Sequence, residues 1–406
     1  MTTLRTTCAI AGGGPAGVML GYLLARAGVP VVVLEKHGDF FRDFRGDTIH
    51  PSTLQLMHEL GLLEHFLKCP HQELHTLAGR VGGKLFQIAD FTHLPTACKY
   101  VAFMPQWDFL DFLAAQGKRL PMFDLRMGAD VTELIEENGR VVGLRATAAD
   151  GPLEIRADLV VGADGRHSTI RERAGFVPMN IGAPIDVLWF RVTRRADDPE
   201  AALGNIDRGR VLVTIDRGDY WQCAFVIPKD SDDKVRARGL PAFHADIAAI
   251  APFLRDRIGD IADWDQVKLL TVAVDRLPRW YRPGLLCIGD AAHAMSPIGG
   301  VGVNLAVQDA VAAANILAAP LRNKSLRLDD LAAVQRRREW PVRMMQGVQV
   351  LVQNRVLSPV LFGGDRTVTA PWVLNLFNWL PFLRRFPARV VGMGFRPEHV
   401  LTSKAA

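Results

Sequence analysis

The chain has no cysteine framework, no membrane-length apolar run and no block of like charge. Its five cysteines (Cys8, Cys69, Cys98, Cys223 and Cys287) are odd in number and scattered, with no CxxC or Cys/His spacing. That pattern excludes a disulfide scaffold, and no metal site is expected. Cys8 and Cys287 fall inside apolar strand-like runs, where cysteine behaves as a small hydrophobe, and a reducing cytoplasm is the expected setting. No uninterrupted apolar run approaches the roughly 18 residues of a membrane span. Residues 8–34 are largely apolar, but glycine, proline and Arg26 interrupt them and no small-residue cleavage site follows a basic start. A secretion signal is therefore not expected. The 48 basic and 43 acidic residues leave a formal charge of +5 without a run of five like charges, so no nucleic acid partner is expected. Repeats and low-complexity linkers are missing as well.

What is present is a chain of 406 residues, 49% hydrophobic, long enough for two domains or one elaborated one. Residues 6–11 read as a buried strand, Ala16 to Ala27 as a helix ended by Gly28, and 30-PVVVLE-35 as a β-branched strand of a covered parallel sheet. Helices are expected at Pro51–Leu60 and Gln106–Gln116, extra strands within 76–103, and a hairpin over 130–147 turning at Asn138-Gly139. A further strand is expected at 158–165. From about 184 to 275 the pattern turns to strands (185–193, 210–215, 219–227, 267–275) with one helical stretch near 240–257. A buried strand then returns at 284–289, followed by helices near 301–318 and 329–353.

Three segments carry chemistry. Gly12-x-Gly14-x-x-Gly17 joins a strand to a helix, where glycines allow the turn, the approach of a pyrophosphate and close helix packing. Glu35 ends the next strand, at the spacing of a carboxylate that accepts from a ribose. In 286-LCIGDAAHAMSPIGGVGVNLAVQDA-310, Asp290 follows an apolar strand and Gly299, Gly300 and Gly302 open a helix. That helix end could face a flat ring that gains negative charge on reduction. A dinucleotide held at both ends is long, and this points to flavin adenine dinucleotide. In 162-GADGRHSTIRERAG-175, Asp164 and Arg171 could tie a strand end to a helix beside the nucleotide.

Together the three segments resemble the motifs of the single-component FAD-dependent aromatic hydroxylases, the para-hydroxybenzoate hydroxylase fold group, in the family's order across most of 8–310. The resemblance implies an α/β fold: a Rossmann-type FAD domain (1–75, 98–183, 276–355), an inserted antiparallel substrate sheet (76–97, 184–275) and a helical C-terminal tail (356–406). It implies FAD contacts from Gly12, Gly14, Pro15, Ala16, Gly17, Glu35, Lys36, Arg45, Gln106, Asp164, Arg171, Asp290, Gly300, Gly302, Val303 and Asn304. Pro297, Gly299 and Gly300 match the loop over the reactive edge of the ring. NADH or NADPH is expected as a transient reductant, since no second GxGxxG is present. The implied reaction hydroxylates an aromatic or quinone-like compound with O₂ through a flavin C4a-hydroperoxide, and no protein nucleophile is expected.

Trp189, Arg191, Tyr220, Trp221 and Phe225 are the candidate pocket wall. Strand alternation separates Trp221, Cys223 and Phe225 from Gln222 and Ala224, without saying which face meets the flavin. His50 and His293 lie in flavin-proximal motifs and read either as bases or as backbone partners. Residues 371–390 mix Trp and Phe with Arg384, Arg385 and Arg389, which suits either peripheral membrane contact or packing over the sheet or a second subunit, as in a homodimer. An isoprenoid-type double-bond reductase on the same fold is the alternative activity. A halogenase is disfavoured because 221-WQCAFVIP-228 departs from WxWxIP. A non-catalytic flavin scaffold would have no need of the complete motif set.

Overall fold

The computed structural model describes residues 2–41, 48–198, 204–364 and 366–405. Five parallel strands form the centre of the larger sheet, in the order Leu285–Cys287, Gly151–Gly162, Thr2–Ala11, Val31–Glu35, Phe123–Met127. The hairpin Asp130–Glu137/Arg140–Ala148 adds to Gly151–Gly162 in antiparallel register. Its turn places Asn138 at φ 50° and Gly139 at φ 75°, which suits the right-handed twist of a two-residue hairpin. The helices Pro15–Arg26 and Gly302–Arg322 pack together in the principal core, and Gln106–Gly117 lies beside the first. Chain order reverses between Thr2–Ala11 and Gly151–Gly162, and the crevice at the C-terminal ends of those strands is where such sheets bind nucleotides.

The second sheet has seven strands, ordered Lys268–Leu270, Ile185–Thr193, Tyr220–Pro228, Arg210–Asp216, Gly204–Asp207, Thr76–Val81, Lys84–Asp90. It is antiparallel except where Gly204–Asp207 runs parallel to Thr76–Val81. Side-chain alternation gives it two apolar faces. Leu188, Phe190, Leu212, Trp221, Cys223 and Phe225 are covered by Phe243 and Ile247 of the helix Leu240–Ile250. Val187, Val211, Ala224 and Val226 face the other way and meet Ile298, Leu357 and Val360.

Several elements differ from the sequence reading. The first strand begins at Thr2, because residues 2–6 pair with Leu153–Ala157. The strand expected over 267–275 stops at Leu270, where the Val272 N–H donates to Asp186 Oδ1 at 2.9 Å and leaves the ladder. The helix near 240–257 ends at Ile250, before Pro252. In the tail, helices Trp372–Trp379 and Arg385–Met393 pack against the edge strand Lys84–Asp90. The last residues return to the nucleotide domain, where the Ala405 N–H donates to Arg26 O at 2.9 Å.

Candidate functional site

The first glycine turn owes its shape to what side chains would strike. Gly12 sits at φ +102°, and a Cβ there would lie 2.4 Å from Ala163 O. A Cβ on Gly17 would lie 1.9 Å from Gly12 O, so only glycine lets the helix approach its own strand. Gly14 precedes the helix Pro15–Arg26 without a side-chain cap, and Pro15 removes one donor. Ala16 and Gly17 therefore present first-turn N–H groups that lack intrahelical partners. Glu35 accepts from the Gly13 N–H at 2.9 Å and the His37 N–H at 3.1 Å. A carboxylate at this strand end is the group that accepts from a ribose hydroxyl in such sheets. Lys36 is exposed.

The turn after Leu285–Cys287 meets the first turn directly. Gly289, at φ +59°, lies where a Cβ would be 3.2 Å from Ala16 Cβ and 3.4 Å from Ala306 Cβ. Asp290 follows, partly exposed, with Arg166 Nη2 3.8 Å from Oδ2. Beyond Pro297, Gly299 and Gly300 adopt φ +78° and +62°. A Cβ on Gly300 would lie 2.3 Å from Thr48 Oγ1, which donates to Gly300 O at 2.9 Å. The helix Gly302–Arg322 again starts without a side-chain cap, so the N–H groups of Gly302, Val303 and Asn304 have no intrahelical partner. The Asn304 side chain is differently occupied. Its Oδ1 accepts from the His50 N–H (2.8 Å) and Thr53 Oγ1 (2.7 Å), so the buried amide ties residues 48–53 to the helix.

The second constellation is a relay of caps. Ser168 Oγ donates to Asp164 Oδ1 and accepts from the Arg171 N–H at 2.9 Å, while the Ile170 N–H donates to Asp164 Oδ2 at 3.0 Å. Burial raises the Asp164 carboxyl above its ordinary range, against these hydrogen bonds. Arg171 reaches Ala291 O at 3.5 Å and lies 3.9 Å from Asp275, joining this turn to the one around Asp290. Gln106 opens its helix after Pro105, again without a side-chain cap. Arg45 lies outside the described residues.

Of the five candidate wall residues, Trp189 lies on the face that packs with Ile298 of the glycine loop. Arg191 and Tyr220 stack as a cation–π pair at 4.9 Å on strands that pair in the sheet. Trp221 and Phe225 lie on the opposite face, buried against Phe253 and Phe243, and Trp221 Nε1 donates to Asp198 Oδ2 at 2.7 Å. They form the core under Leu240–Ile250 and are not on the loop side.

Each histidine is held through one ring nitrogen. His50 Nδ1 lies 2.7 Å from Val391 O, so the ring donates there, and burial pushes its pKa down to about 4. His293 Nε2 lies 2.6 Å from Asp309 Oδ2. Asp309 also accepts from the Gly289 N–H (3.1 Å) and Arg338 Nε (2.9 Å), and Arg338 continues to Glu398 at 3.2 Å. Burial would raise the Asp309 carboxyl, but the His293 ring and the Arg338 guanidinium outweigh burial and hold it below the usual range.

A row of glutamines, unnoticed in the sequence, holds the glycine loop from behind. On the helix Leu328–Val352, Gln349 accepts from the Ser296 N–H (3.1 Å) and donates to Ser296 O (2.8 Å) and Ile298 O (2.9 Å). Gln346 donates to Ala294 O (3.0 Å), and Gln353, in the turn that follows, donates to Ser296 Oγ (2.8 Å). Positions 346, 349 and 353 share one helical face, and this spacing was the available signal.

Two uncapped helix ends and two glycine turns, meeting at a switch point, define a dinucleotide-binding flavoprotein, and the open space beside Gly14 and Gly302 fits a long cofactor. A family model described as FAD binding domain matches residues 5–347, and the chain belongs to that family, among the single-component FAD-dependent aromatic hydroxylases. It is an FAD-dependent oxidoreductase. It is 34% identical over 358 residues to the 6-methylpretetramide 4-monooxygenase of Streptomyces rimosus, covering 87% of this chain and 85% of that one. Several longer relatives are spanned over only 61% to 64% of their length. The fold matches OxyS anhydrotetracycline hydroxylase of Streptomyces rimosus with a TM-score of 0.75 at 23% identity, covering 96% of this chain and 76% of that one. It matches p-nitrophenol 4-monooxygenase PnpA of Pseudomonas putida DLL-E4 with a TM-score of 0.75 at 22% identity, covering 96% of each.

Proposed function

We propose that this protein hydroxylates an aromatic or quinone-like compound, consuming O₂ and NAD(P)H and releasing water and NAD(P)⁺ as one oxygen enters the substrate. The observation that carries this reading is the meeting of Gly289 with Ala16, which gathers both uncapped helix ends into one crevice. Bound FAD supplies the electron transfer and the activation of oxygen.

The chain's own groups bind, orient and keep water out. Ala16 and Gly17 N–H groups take the pyrophosphate, Glu35 a ribose, and Asp290 hydroxyls of the ribityl chain. The N–H groups of Gly302, Val303 and Asn304 favour negative charge on the ring edge. Pro297, Gly299 and Gly300 let the backbone lie close to it. Residues 1–75, 98–183 and 276–355 act as the cofactor domain, 76–97 and 184–275 as the substrate domain, and 356–406 as a tail. Trp189, partly exposed on the apolar face that packs with Ile298, offers a dry wall, and water exclusion protects a reactive oxygen donor from side reactions. The named activities of relatives on 6-methylpretetramide and para-nitrophenol support the substrate class.

The test is to screen aromatic compounds for stimulated NAD(P)H oxidation and to measure product mass. A product heavier by one oxygen is expected. Oxidation that yields only H₂O₂ with every compound, or a product reduced at a double bond without O₂ uptake, overturns the reading.

A further inference from the structure

The tail helices carry a surface that nothing covers among the described residues. On Trp372–Trp379, positions 372, 376 and 379 share one helical face, and Trp372 and Trp379 are 74% and 81% exposed. The face continues through Phe382 (54% exposed) and Phe386 (66% exposed) at the start of Arg385–Met393. Large aromatics at such exposure, grouped within 15 residues of chain, mark an interaction site.

The tail segment's own charge has one sign, and the carboxylate that Arg385 acts on, Asp90 of the edge strand, is already paired with His93. Between Asp365 and Glu398 the chain holds Arg366, Arg384, Arg385, Arg389 and Arg396 and not one acidic residue. Among the described residues no carboxylate lies within 4 Å of Arg384, Arg385 or Arg389. Arg384 instead reaches Gln87 and Phe377 O, and Arg385 lies 3.5 Å from His93. A second copy of this chain is a poor occupant, because a two-fold interface sets the patch against itself and faces arginine with arginine. The complement must be apolar at depth and negative at its surface. We propose that residues 371–389 dock peripherally on an anionic lipid bilayer, with Trp372, Trp379, Phe382 and Phe386 in the headgroup region and the arginines on lipid phosphates.

The placement bears on substrate entry. The helix that begins at Arg385 carries Val391, whose carbonyl holds His50 and whose side chain lies 3.9 Å from where a Gly299 Cβ would be. Phe386 and Val391 are five residues apart, so about 7.5 Å of helix separates the docking face from the glycine loop. A lipophilic substrate dissolved in the bilayer would reach the loop without crossing bulk water.

The test is co-sedimentation of the FAD-loaded protein with phosphatidylcholine vesicles, with and without 30 mol% phosphatidylglycerol. Binding to the anionic vesicles is expected, with little to the neutral ones and a steep loss between about 0.05 and 0.5 M NaCl. Two charges removed by R385Q/R389Q should weaken binding about thirtyfold, and W372S/W379S should abolish it. Both variants should keep the FAD content of the parent, since these side chains are exposed. Failure of the unmodified protein to bind at millimolar lipid, or equal binding to neutral vesicles, overturns the proposal. So does a concentration-dependent dimer that W372S/W379S dissolves, or capture by an acidic protein with no lipid binding. Loss of hydroxylation with binding intact would count against the proposed function and leave this surface standing.

Discussion

Gln349→Met removes the central support of the glycine loop while conserving length and volume. Gln349 is buried and makes three hydrogen bonds, to the Ser296 N–H, Ser296 O and Ile298 O. At about 1 kcal/mol net per bond, with a further penalty where a buried backbone group is left unpaired, the loss comes to roughly 4 kcal/mol. For a chain of 406 residues the unfolding entropy is about 0.85 kcal/mol per degree, so the melting temperature should fall by about 5 °C. Thermal unfolding followed by near-UV circular dichroism measures this. Flavin occupancy should fall with it, because Ser296 and Ile298 precede the Gly299–Gly300 turn. Gln349→Glu keeps the one oxygen that accepts from the Ser296 N–H but sets a second, charged oxygen against the Ser296 and Ile298 carbonyls in a buried site, so it should cost at least as much as the Met variant. If Gln349→Met melts within a degree of the parent and binds flavin equally, the glutamine row does not set the loop.

Three further outcomes are expected. The His50 ring must stay neutral when folded, and its pKa is lowered from 6.5 to about 4, so its stabilising contribution is complete above about 6.5 and is lost as pH falls toward 4. His50→Asn keeps a donor for Val391 O and should shrink the stability difference between pH 7 and pH 5 by about 2 kcal/mol in urea titrations; an unchanged difference refutes this role. Asp309→Asn leaves Arg338 and His293 short of a buried anion and should cost about 3–5 kcal/mol, whereas D309L/R338M should cost at least about 1 kcal/mol less than the summed single variants. The Asp309 carboxyl is held below its ordinary value, so its contribution is present above about pH 4 and lost in more acid solution, a loss the Asn variant should lack. Trp189→Ala should raise KM or uncouple NAD(P)H oxidation with little effect on folding, while Trp221→Ala should cost about 3–5 kcal/mol of stability and leave KM alone; the reverse pattern would assign the sheet faces wrongly.

The sequence was most legible where one residue type had one physical reason to be there. Any side chain at Gly12 or Gly17 would meet a backbone carbonyl oxygen at 2.4 Å or less, so the spacing of these glycines announces the turn. The sheet was legible as alternation but its orientation was not. Trp189 and Trp221 look equally suited to a pocket until the helix Leu240–Ile250 is seen to cover Trp221, while Trp189 stays partly exposed on the other face. Polar residues on helices were the hardest. Gln346 and Gln349 belong to a helix whose sequence reads as long and charged, yet they are buried because their partners are backbone groups of a loop about 50 residues earlier. Asp309, Arg338 and Glu398 were missed for the same reason: each charge is neutralised by an element distant in sequence. Asn304 sits where the motif places it, but its side chain spends its bonds on residues 48–53.

The central claim is that one FAD is gripped at its adenosine end by the turn at Gly12–Gly17 and at its ring end by the loop at Pro297–Gly302. A crystal structure of the protein with FAD tests it most directly. The account predicts pyrophosphate on the Ala16 and Gly17 N–H groups, a ribose hydroxyl on Glu35, and the ring edge against the first turn of Gly302–Arg322. A flavin seated away from Gly289, or a protein that stays colourless with excess FAD, would contradict it.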